Sequence, residues 1–342
     1  MLSNHRLRNR IAGLSVGAIF AVLTLFLIFG LSYIATFSNV AHVSTSVLWN
    51  TFTDGWSQRN AFQNKDVTFL ILGLDNRDDA FEKTLLTDTM MLASLNTPTN
   101  NLTFLPLPRD VWIDEYKTKI NALYFYGGVP LTKSVVEQLT GIQVDYYVII
   151  DYRKLPGFVD TLEGVTIDIE KSFTDNKYPN PYYTEDGVNG PPYVTIFFEK
   201  GLQILGGEQT LHYVRSRGSD DESEGSDAGR SHRQLQVMRA LIERLTDKNI
   251  LMNPGATGDL YRLWHDDIDT NMSDSEIIGL SVAIGTHPIT ISSVHIPTSA
   301  DTADSPILIH PSVSTYGLWV WEPADKTGGQ LKNFVKEHLK RS

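Results

Sequence analysis

The nine residues Asp66-Val-Thr-Phe-Leu-Ile-Leu-Gly-Leu74 carry no charge after the first and stop at Asp75-Asn-Arg. A short apolar run with turn formers at its end reads as a strand buried on both faces. Helices and strands alternate along the rest of the chain, so the expected class is α/β or α+β with a layered sheet. Asp88-Thr-Met-Met-Leu-Ala-Ser-Leu95 reads as the next strand. The turn Asn96-Thr-Pro-Thr-Asn-Asn101 then leads by a hairpin into a third, Leu102-Thr-Phe-Leu-Pro-Leu107. If each strand is antiparallel to the one before, Asp75, Asp88, Arg109 and Asp110 share one edge of the sheet. Open α/β sheets place their ligands at the carboxyl ends of strands.

Further along, Leu131 to Thr140 and Tyr152 to Leu162 are expected as helices, Asp145 to Ile150 and Val165 to Ile169 as strands. Thr174 to Tyr193, rich in Pro, Asn and Tyr, and Gly218 to Gly229, rich in Ser, Asp and Glu, read as loops, the second a solvated one. After Met252 the pattern weakens to helices at Ser273–Ile284 and Gly329–Leu339 and a strand at Thr290–His295. Whether that part forms a unit of its own is open; one domain over 66–342 is the simpler reading.

The segment Asp227-Ala-Gly-Arg230-Ser-His-Arg233-Gln234 opens a helix whose apolar stripe continues through Val237, Met238, Leu241 and Leu245. On a helical projection Arg230 and Gln234 fall within the arc of Val237 and Leu241, and Arg233 falls on its edge. A guanidinium aimed at a core without an anionic partner is costly. The helix start therefore either faces a pocket that receives an anion, or pairs with one of the chain's own carboxylates.

At the N-terminus, Arg6, Arg8 and Arg10 precede an uncharged stretch from Ile11 to Leu31, and the first acidic residue is Asp54. Twenty-odd apolar residues can cross a bilayer of about 30 Å as a helix, and the basic residues before them place the N-terminus in the cytoplasm. The stretch exceeds the apolar region of about 7 to 15 residues typical of a cleaved signal peptide. The expected organisation is a cytoplasmic tail at 1–10, a signal-anchor at 11–31, a juxtamembrane linker at 32–65 and an extracytoplasmic domain at 66–342, at the cell membrane. Trp49, Phe52, Trp56 and Phe62 fit either an interfacial aromatic belt or a plain linker.

Charge and composition exclude several functions. Without the three N-terminal arginines, 26 basic residues face 40 acidic ones, so nucleic acid is not an expected partner. With no cysteine there is neither a disulfide nor thiol chemistry, and the nine histidines show no zinc spacing. No Walker loop or dinucleotide glycine fingerprint is present. At the expected edge converge Asp75, Asp88, Arg109, Lys119, Arg215, Arg217 and Arg230. Paired acids suit Mg²⁺ (or Mn²⁺) bridged to phosphates, and arginine forks suit phosphate oxygens. Together they point to a metal-bound diphosphate.

Seven segments, in order and spanning roughly 65 to 245, carry a resemblance to a known family: Phe-Leu-Ile-Leu-Gly-Leu-Asp75; Thr-Asp88-Thr-Met-Met-Leu; Leu-Pro-Arg109-Asp110; Lys119-Ile-Asn121-Ala-Leu-Tyr124 with Gly127-Gly128; Asp145-Tyr-Tyr-Val; Leu205-Gly-Gly-Glu208 through Arg215-Ser-Arg217; and Asp227 through Gln234. The chain resembles the LytR-CpsA-Psr family of membrane-anchored bacterial cell-wall ligases. The resemblance implies an α-β-α sandwich with a mixed central sheet, holding a polyprenyl diphosphate with its lipid tail in an apolar tunnel. It also implies transfer of a phospho-linked glycopolymer from that carrier to a peptidoglycan acceptor. On this reading Arg109, Asp110 and Arg230 are catalytic; Arg109, Lys119, Arg215, Arg217, Arg230, Arg233 and Gln234 bind the diphosphate; Asp75 and Asp88 hold the metal. One departure is Leu86, where many members carry an arginine two residues before the second aspartate. Two other classes fit the same residues: a non-catalytic receptor or regulator for lipid-linked glycans, and a polyprenyl diphosphate hydrolase.

Overall fold

The computed structural model describes residues 24–75, 86–180, 182–183, 188, 190–285, 287–301 and 305–339. Arg6, Arg8, Arg10 and most of the expected anchor lie outside these residues. Two helices come first, α1 (Thr24–Val40) and α2 (Thr45–Phe62), followed by strands β1 (Asp66–Leu74), β2 (Thr87–Asn96) and β3 (Asn101–Pro106). The short pair β4 (Trp112–Ile113) and β5 (Thr118–Lys119) leads into α3 (Leu123–Thr140), β6 (Tyr146–Asp151), α4 (Leu155–Thr161) and β7 (Val165–Ile169). Next are β8 (Phe173–Pro179), β9 (Tyr193–Phe198), β10 (Gly201–Leu205), α5 (Gly207–Arg215), α6 (Asp227–Leu245) and α7 (Lys248–Leu251). The chain continues with α8 (Pro254–Asp267), β11 (Ile268–Thr270), α9 (Asp274–Ile284) and β12 (Thr290–Ser293). After β13 (Leu308–Ile309), α10 (Val313–Tyr316) and β14 (Glu322–Pro323) comes α11 (Gly329–Leu339).

The central sheet has the order β11-β6-β1-β2-β3-β12. β1 is antiparallel to β2 and β2 to β3, while β1 runs parallel to β6 and β3 to β12. Because side chains alternate along a strand, β1 serves two cores at once. Leu70, Leu72 and Leu74 point to the layer built by α3 and α11, through Val135, Val136, Leu331 and Val335. Phe69 and Ile71 point to the layer containing Leu235, Met238 and Ile242 of α6 and Leu280 and Ile284 of α9. This is the expected mixed sheet between helical layers. A further core gathers α4, β7 to β10, α5 and the far end of α6.

The residues after Met252 complete this sheet. β11 closes one edge against β6, β12 closes the other against β3, and α9 and α11 lie on opposite faces. α3 is longer than the expected helix and breaks at Gly127–Gly128, where Gly128 has φ 59°; Pro130 then opens the predicted segment. The expected loop at 174–193 is strand over its first six residues, which belong to β8, and at Tyr193, which opens β9; the two pair antiparallel with Tyr178 and Phe198 buried beneath them.

The largest difference lies before β1. Residues 45–62, expected as part of a linker, form a regular helix capped by Ser44, whose Oγ accepts from the Val47 N–H. α2 lies so close to α9 that a Cβ on Gly55 would sit 2.6 Å from the Ile278 Cβ and 2.7 Å from the Ser275 carbonyl oxygen. Apolar residues occur on two separate strips of this helix, Leu48, Gly55 and Phe62 inward and Trp49, Phe52 and Trp56 outward, which blurs a single amphipathic period. Among the described residues no single helix is long and apolar enough to cross a membrane. α1 and α2 pass that test only as a pair bent by 107°.

Candidate functional site

The alternation of β1, β2 and β3 places the end of the first, the start of the second and the exit of the third at one edge of the sheet. Asp75, Asp88 and Arg109 are delivered there by backbone geometry alone. Two helices complete the site. The last turn of α5 carries Arg215, with Arg217 two residues on, and the first turn of α6 carries Asp227 and Arg230. The start of α6 is fixed by Ser226, whose Oγ accepts from the Gly229 N–H at 2.9 Å. A Cβ at Gly229 would meet the Ser223 carbonyl oxygen at 2.3 Å, so the loop closes over this turn only with glycine.

Arg215 Nη2 lies 2.6 Å from Asp75 Oδ1, and Arg109 Nη1 lies 2.7 Å from Asp88 Oδ1. Arg230 reaches Asp88 Oδ2 at 3.5 Å and its carbonyl oxygen at 3.4 Å. Asp227 Oδ1 stands among three guanidiniums, 3.4 Å from Arg109, 3.6 Å from Arg217 and 3.4 Å from Arg230. Behind them Lys119 Nζ holds Asp110 Oδ1 at 2.5 Å, and Asp110 Oδ2 lies 3.6 Å from Arg109 Nε.

Arg230 is only 3 % exposed. The Nε–H groups of Arg109, Arg215 and Arg230 are buried without a hydrogen-bond partner among the described residues. Leaving a buried charged donor unmade costs several kcal/mol in order of magnitude, so three together mark a place built for an anion. Burial alone would raise the Asp88 carboxyl, but Arg230 and Arg109 outweigh it and hold the group below the usual carboxylate range. Burial, with Arg230 and Arg109 as like-charged neighbours, draws Arg217 down. For Asp88 the surrounding cations decide the direction; for Arg217 burial leads and the neighbouring cations add to it.

Below the charged groups lies an apolar cavity of about 40 Å³, walled by Ile71, Gly73, Met91, Tyr152, Val237 and Gln234, among others. Gly73 is required there, since a Cβ would sit 2.9 Å from that of Thr89 and 3.2 Å from the Tyr152 ring. The Tyr152 hydroxyl bonds to Thr89 Oγ1, and burial pushes it well above the usual phenol range. The Arg215 guanidinium rests 5.8 Å from the centre of the same ring. Charged heads above and an apolar slot beneath are thus joined through Tyr152 and Arg215.

A model of the LytR_cpsA_psr family matches residues 35–331. The chain belongs to the LytR_cpsA_psr family. The polyisoprenyl-teichoic acid–peptidoglycan teichoic acid transferase TagU of Bacillus mycoides (strain KBAB4) is 24% identical over 281 residues, covering 81% of this chain and 80% of the relative. The crystal structure of B. subtilis TagV matches with a TM-score of 0.59 at 23% identity, over 81% of this chain and 98% of that one. TagT bound to LIIa-WTA matches with a TM-score of 0.54 at 21% identity, over 80% and 91%. At these identities the two solved structures show a shared fold.

Within this LytR_cpsA_psr member the structure brings together Asp75, Asp88, Arg109, Asp110, Lys119, Arg215, Arg217 and Arg230. It does not bring Arg233 to them. Arg233 is 1 % exposed and turns toward the interior. Its Nε donates to the Tyr213 carbonyl at 2.9 Å, Nη2 to that of Ser216 at 2.6 Å, and Nη1 to the carbonyl and carboxylate of Glu224 at 2.8 and 2.7 Å. Its guanidinium also lies 4.9 Å from the Phe173 ring centre. Diphosphate binding by Arg233 would break these bonds, so its expected role is corrected to a structural one, in keeping with its place at the edge of the α6 arc. Gln234 lines the apolar slot, its Nε2 3.5 Å from the Val214 carbonyl.

The 218–226 segment is correspondingly tied down rather than loosely solvated. Arg233 holds Glu224, Lys171 pairs with Asp221, and Asn176 Nδ2 donates to Asp220. Two residues of this region escaped the sequence reading. Asp227 opens the Asp227–Gln234 segment, and its i, i+3 spacing to Arg230 is the signal that marks it. Asp175, 1 % exposed, accepts from Ser216 Oγ and from the N–H groups of Arg217, Gly218 and Lys177, and so fixes the backbone that presents Arg217. It lies in a stretch that reads as loop, and nothing in the sequence marks it. Leu86 stands beside Asp75, whose N–H points to its carbonyl at 3.5 Å. Arg77 and Lys83, the neighbouring cations, lie outside the described residues.

Proposed function

We propose that this family member is a membrane-anchored transferase that moves a phospho-linked glycopolymer from a polyprenyl diphosphate carrier to peptidoglycan. The observation that carries the reading is that three buried guanidinium Nε–H groups have no hydrogen-bond partner among the described residues, beside a small apolar slot and at the sheet edge that carries Asp75 and Asp88. The names of the TagU relatives describe that donor and acceptor class. In this reading Arg109, Arg215, Arg217 and Arg230 grip the diphosphate oxygens, while the apolar slot beside Tyr152, at about 40 Å³, takes at most the first atoms of the lipid tail and is not the tunnel expected from the family. An acceptor hydroxyl attacks the phosphorus that bears the glycan, the bond from that phosphorus to the bridging oxygen breaks, and polyprenyl phosphate leaves with the hydroxyl's proton taken up on its freed oxygen. Arginines preset around developing negative charge stabilise that displacement. Asp110, fixed by Lys119, orients Arg109.

Among the described residues no group of three or more His, Asp or Glu side chains can hold a metal by itself. Asp75 and Asp88, each already touching a guanidinium, fit Mg²⁺ or Mn²⁺ in the manner of sites that take one or two carboxylates and complete the shell with phosphate oxygens. Such an ion would neutralise diphosphate charge. Anchoring rests on Arg6, Arg8, Arg10 and the apolar stretch that follows, which places the domain outside the cell.

The test is product analysis with the full chain, a polyprenyl-diphosphate-linked glycan and peptidoglycan, with and without chelator. Polyprenyl phosphate released together with glycan joined to the wall is the expected result. Free glycan phosphate would make the protein a hydrolase, binding without turnover would make it a receptor, and undiminished transfer in excess chelator would remove the metal.

A further inference from the structure

We propose that α2 is a second membrane contact, lying along the headgroup–acyl boundary of a phospholipid bilayer through Trp49, Phe52 and Trp56. The proposal rests on the reading that the segment before Thr24 anchors the chain in that bilayer.

Three strips run along α2. The inner one, with Gly55 and Phe62, packs against α9, and Phe62 is 2 % exposed. A polar strip carries Asn50, Asp54 and Ser57, including the helix's one acid. Between them Trp49, Phe52 and Trp56 stand 67, 46 and 49 % exposed. Their rings form a ladder with centroids 6.3 and 6.2 Å apart. At its end the Arg59 guanidinium lies 4.8 Å from the Trp56 ring centre and donates to the Trp56 carbonyl. A row of large amphipathic rings closed by a cation is unfavourable facing water and matches the composition of the bilayer interface. Of the four aromatic residues on this helix, only Phe62 belongs to the core.

The orientation of α2 favours a bilayer over other occupants. In α1, Leu25, Phe26, Leu27, Ile28, Phe29 and Leu31 are all more than half exposed, so these two turns are apolar all round, as a segment inside lipid is. From Tyr33 onward α1 joins the folded body. The Tyr33 hydroxyl donates to the Leu251 carbonyl at 2.7 Å, and Phe37 meets Tyr261 with ring centres 5.7 Å apart. Tyr33 to Val40 is about 10 Å of helix at roughly 1.5 Å per residue. The chain then bends by 107°, so α2 runs across the axis of α1 and tilts back toward its apolar end. With the apolar start of α1 entering lipid along the membrane normal, as the anchor reading has it, α2 at 107° to it lies along the membrane plane. Leu251 and Met252, 50 and 59 % exposed beside Tyr33, add apolar surface at the same level.

The full chain is reconstituted into vesicles of phosphatidylcholine and phosphatidylglycerol brominated near the headgroup end of the acyl chain, and tryptophan emission and flotation are read together. The expected result is a chain that floats with its emission quenched, and a Trp49→Phe/Trp56→Phe variant, which keeps rings at both positions, that floats equally but loses at least half of the quenching. Flotation with quenching unchanged in the variant would overturn the proposal and leave the anchor standing. Failure to float would overturn the anchor, and the proposal with it. An unquenched chain that sediments in detergent as a dimer, and as a monomer after Trp56→Gln, would assign the stripe to a second copy and overturn the proposal.

Discussion

Arg230 and Arg233 lie three residues apart on one helix, both essentially buried, yet their surroundings are opposite. Around Arg233 four acceptor atoms meet the guanidinium at 2.6 to 2.9 Å, and an aromatic ring lies alongside. Around Arg230 the nearest carboxylates, Asp88 and Asp227, stand off at 3.5 and 3.4 Å, and Nε has no partner among the described residues. Burial is therefore not what separates a structural arginine from a binding one. The difference is whether the protein satisfies the guanidinium by itself or leaves donors to be met by something that arrives.

The contrast breaks most sharply at Arg233. Arg233→Ala leaves Glu224 and two inward carbonyls without their donor, and removing one member of a buried charged pair costs about 3 to 5 kcal/mol. Denaturant unfolding should show a loss of that size, while the surviving folded protein keeps its specific transfer activity. A stable Arg233→Ala protein with no activity would reverse the two roles.

At Arg230 the expected loss falls on rate. Arg230→Lys keeps the charge but not the fork, and losing one preset contact to developing charge costs about 3 kcal/mol, roughly a hundredfold in turnover. The melting temperature should move little, since the native contacts of Arg230 are already long. A large fall in melting temperature with full specific activity would make Arg230 structural after all.

The smallest effect expected is in acid. Asp88 and Asp175 both have folded-state pKa values below their ordinary ones. For Asp88 the cause is the Arg230 and Arg109 charges overcoming burial; for Asp175 it is four hydrogen bonds overcoming burial. A depressed carboxyl binds its proton more readily in the unfolded chain, so its stabilisation is full above about pH 4 and declines as pH falls through the folded-state value. Unfolding free energy measured from pH 5 downward should fall less steeply for Asp88→Asn than for the parent chain. An identical slope would mean that the cluster is not held charged by its arginines.

What the sequence determined by itself was the part set by short-range periodicity. Side-chain alternation and the Asn96–Asn101 turn set β3 antiparallel to β2, while the antiparallel pairing of β1 with β2, the condition for Asp75 to share the edge with Asp88 and Arg109, was supplied by the fold. The apolar stripe of α6 likewise pointed Arg230 inward from its spacing alone. Tertiary structure decided what those periods do not encode. Whether Arg233 joins the site depends on carbonyls of Tyr213 and Ser216, brought within reach by the packing of α5 on α6 across an intervening loop. Asp175 acts through a backbone more than forty residues away. The seat of the 45–62 helix on the body is set by Gly55 meeting α9, which is over two hundred residues distant in the chain. Local patterns specify elements and the faces they bury. Which polar groups end up satisfied is fixed only when distant elements close upon them, because each hydrogen bond needs a partner that the local sequence does not contain.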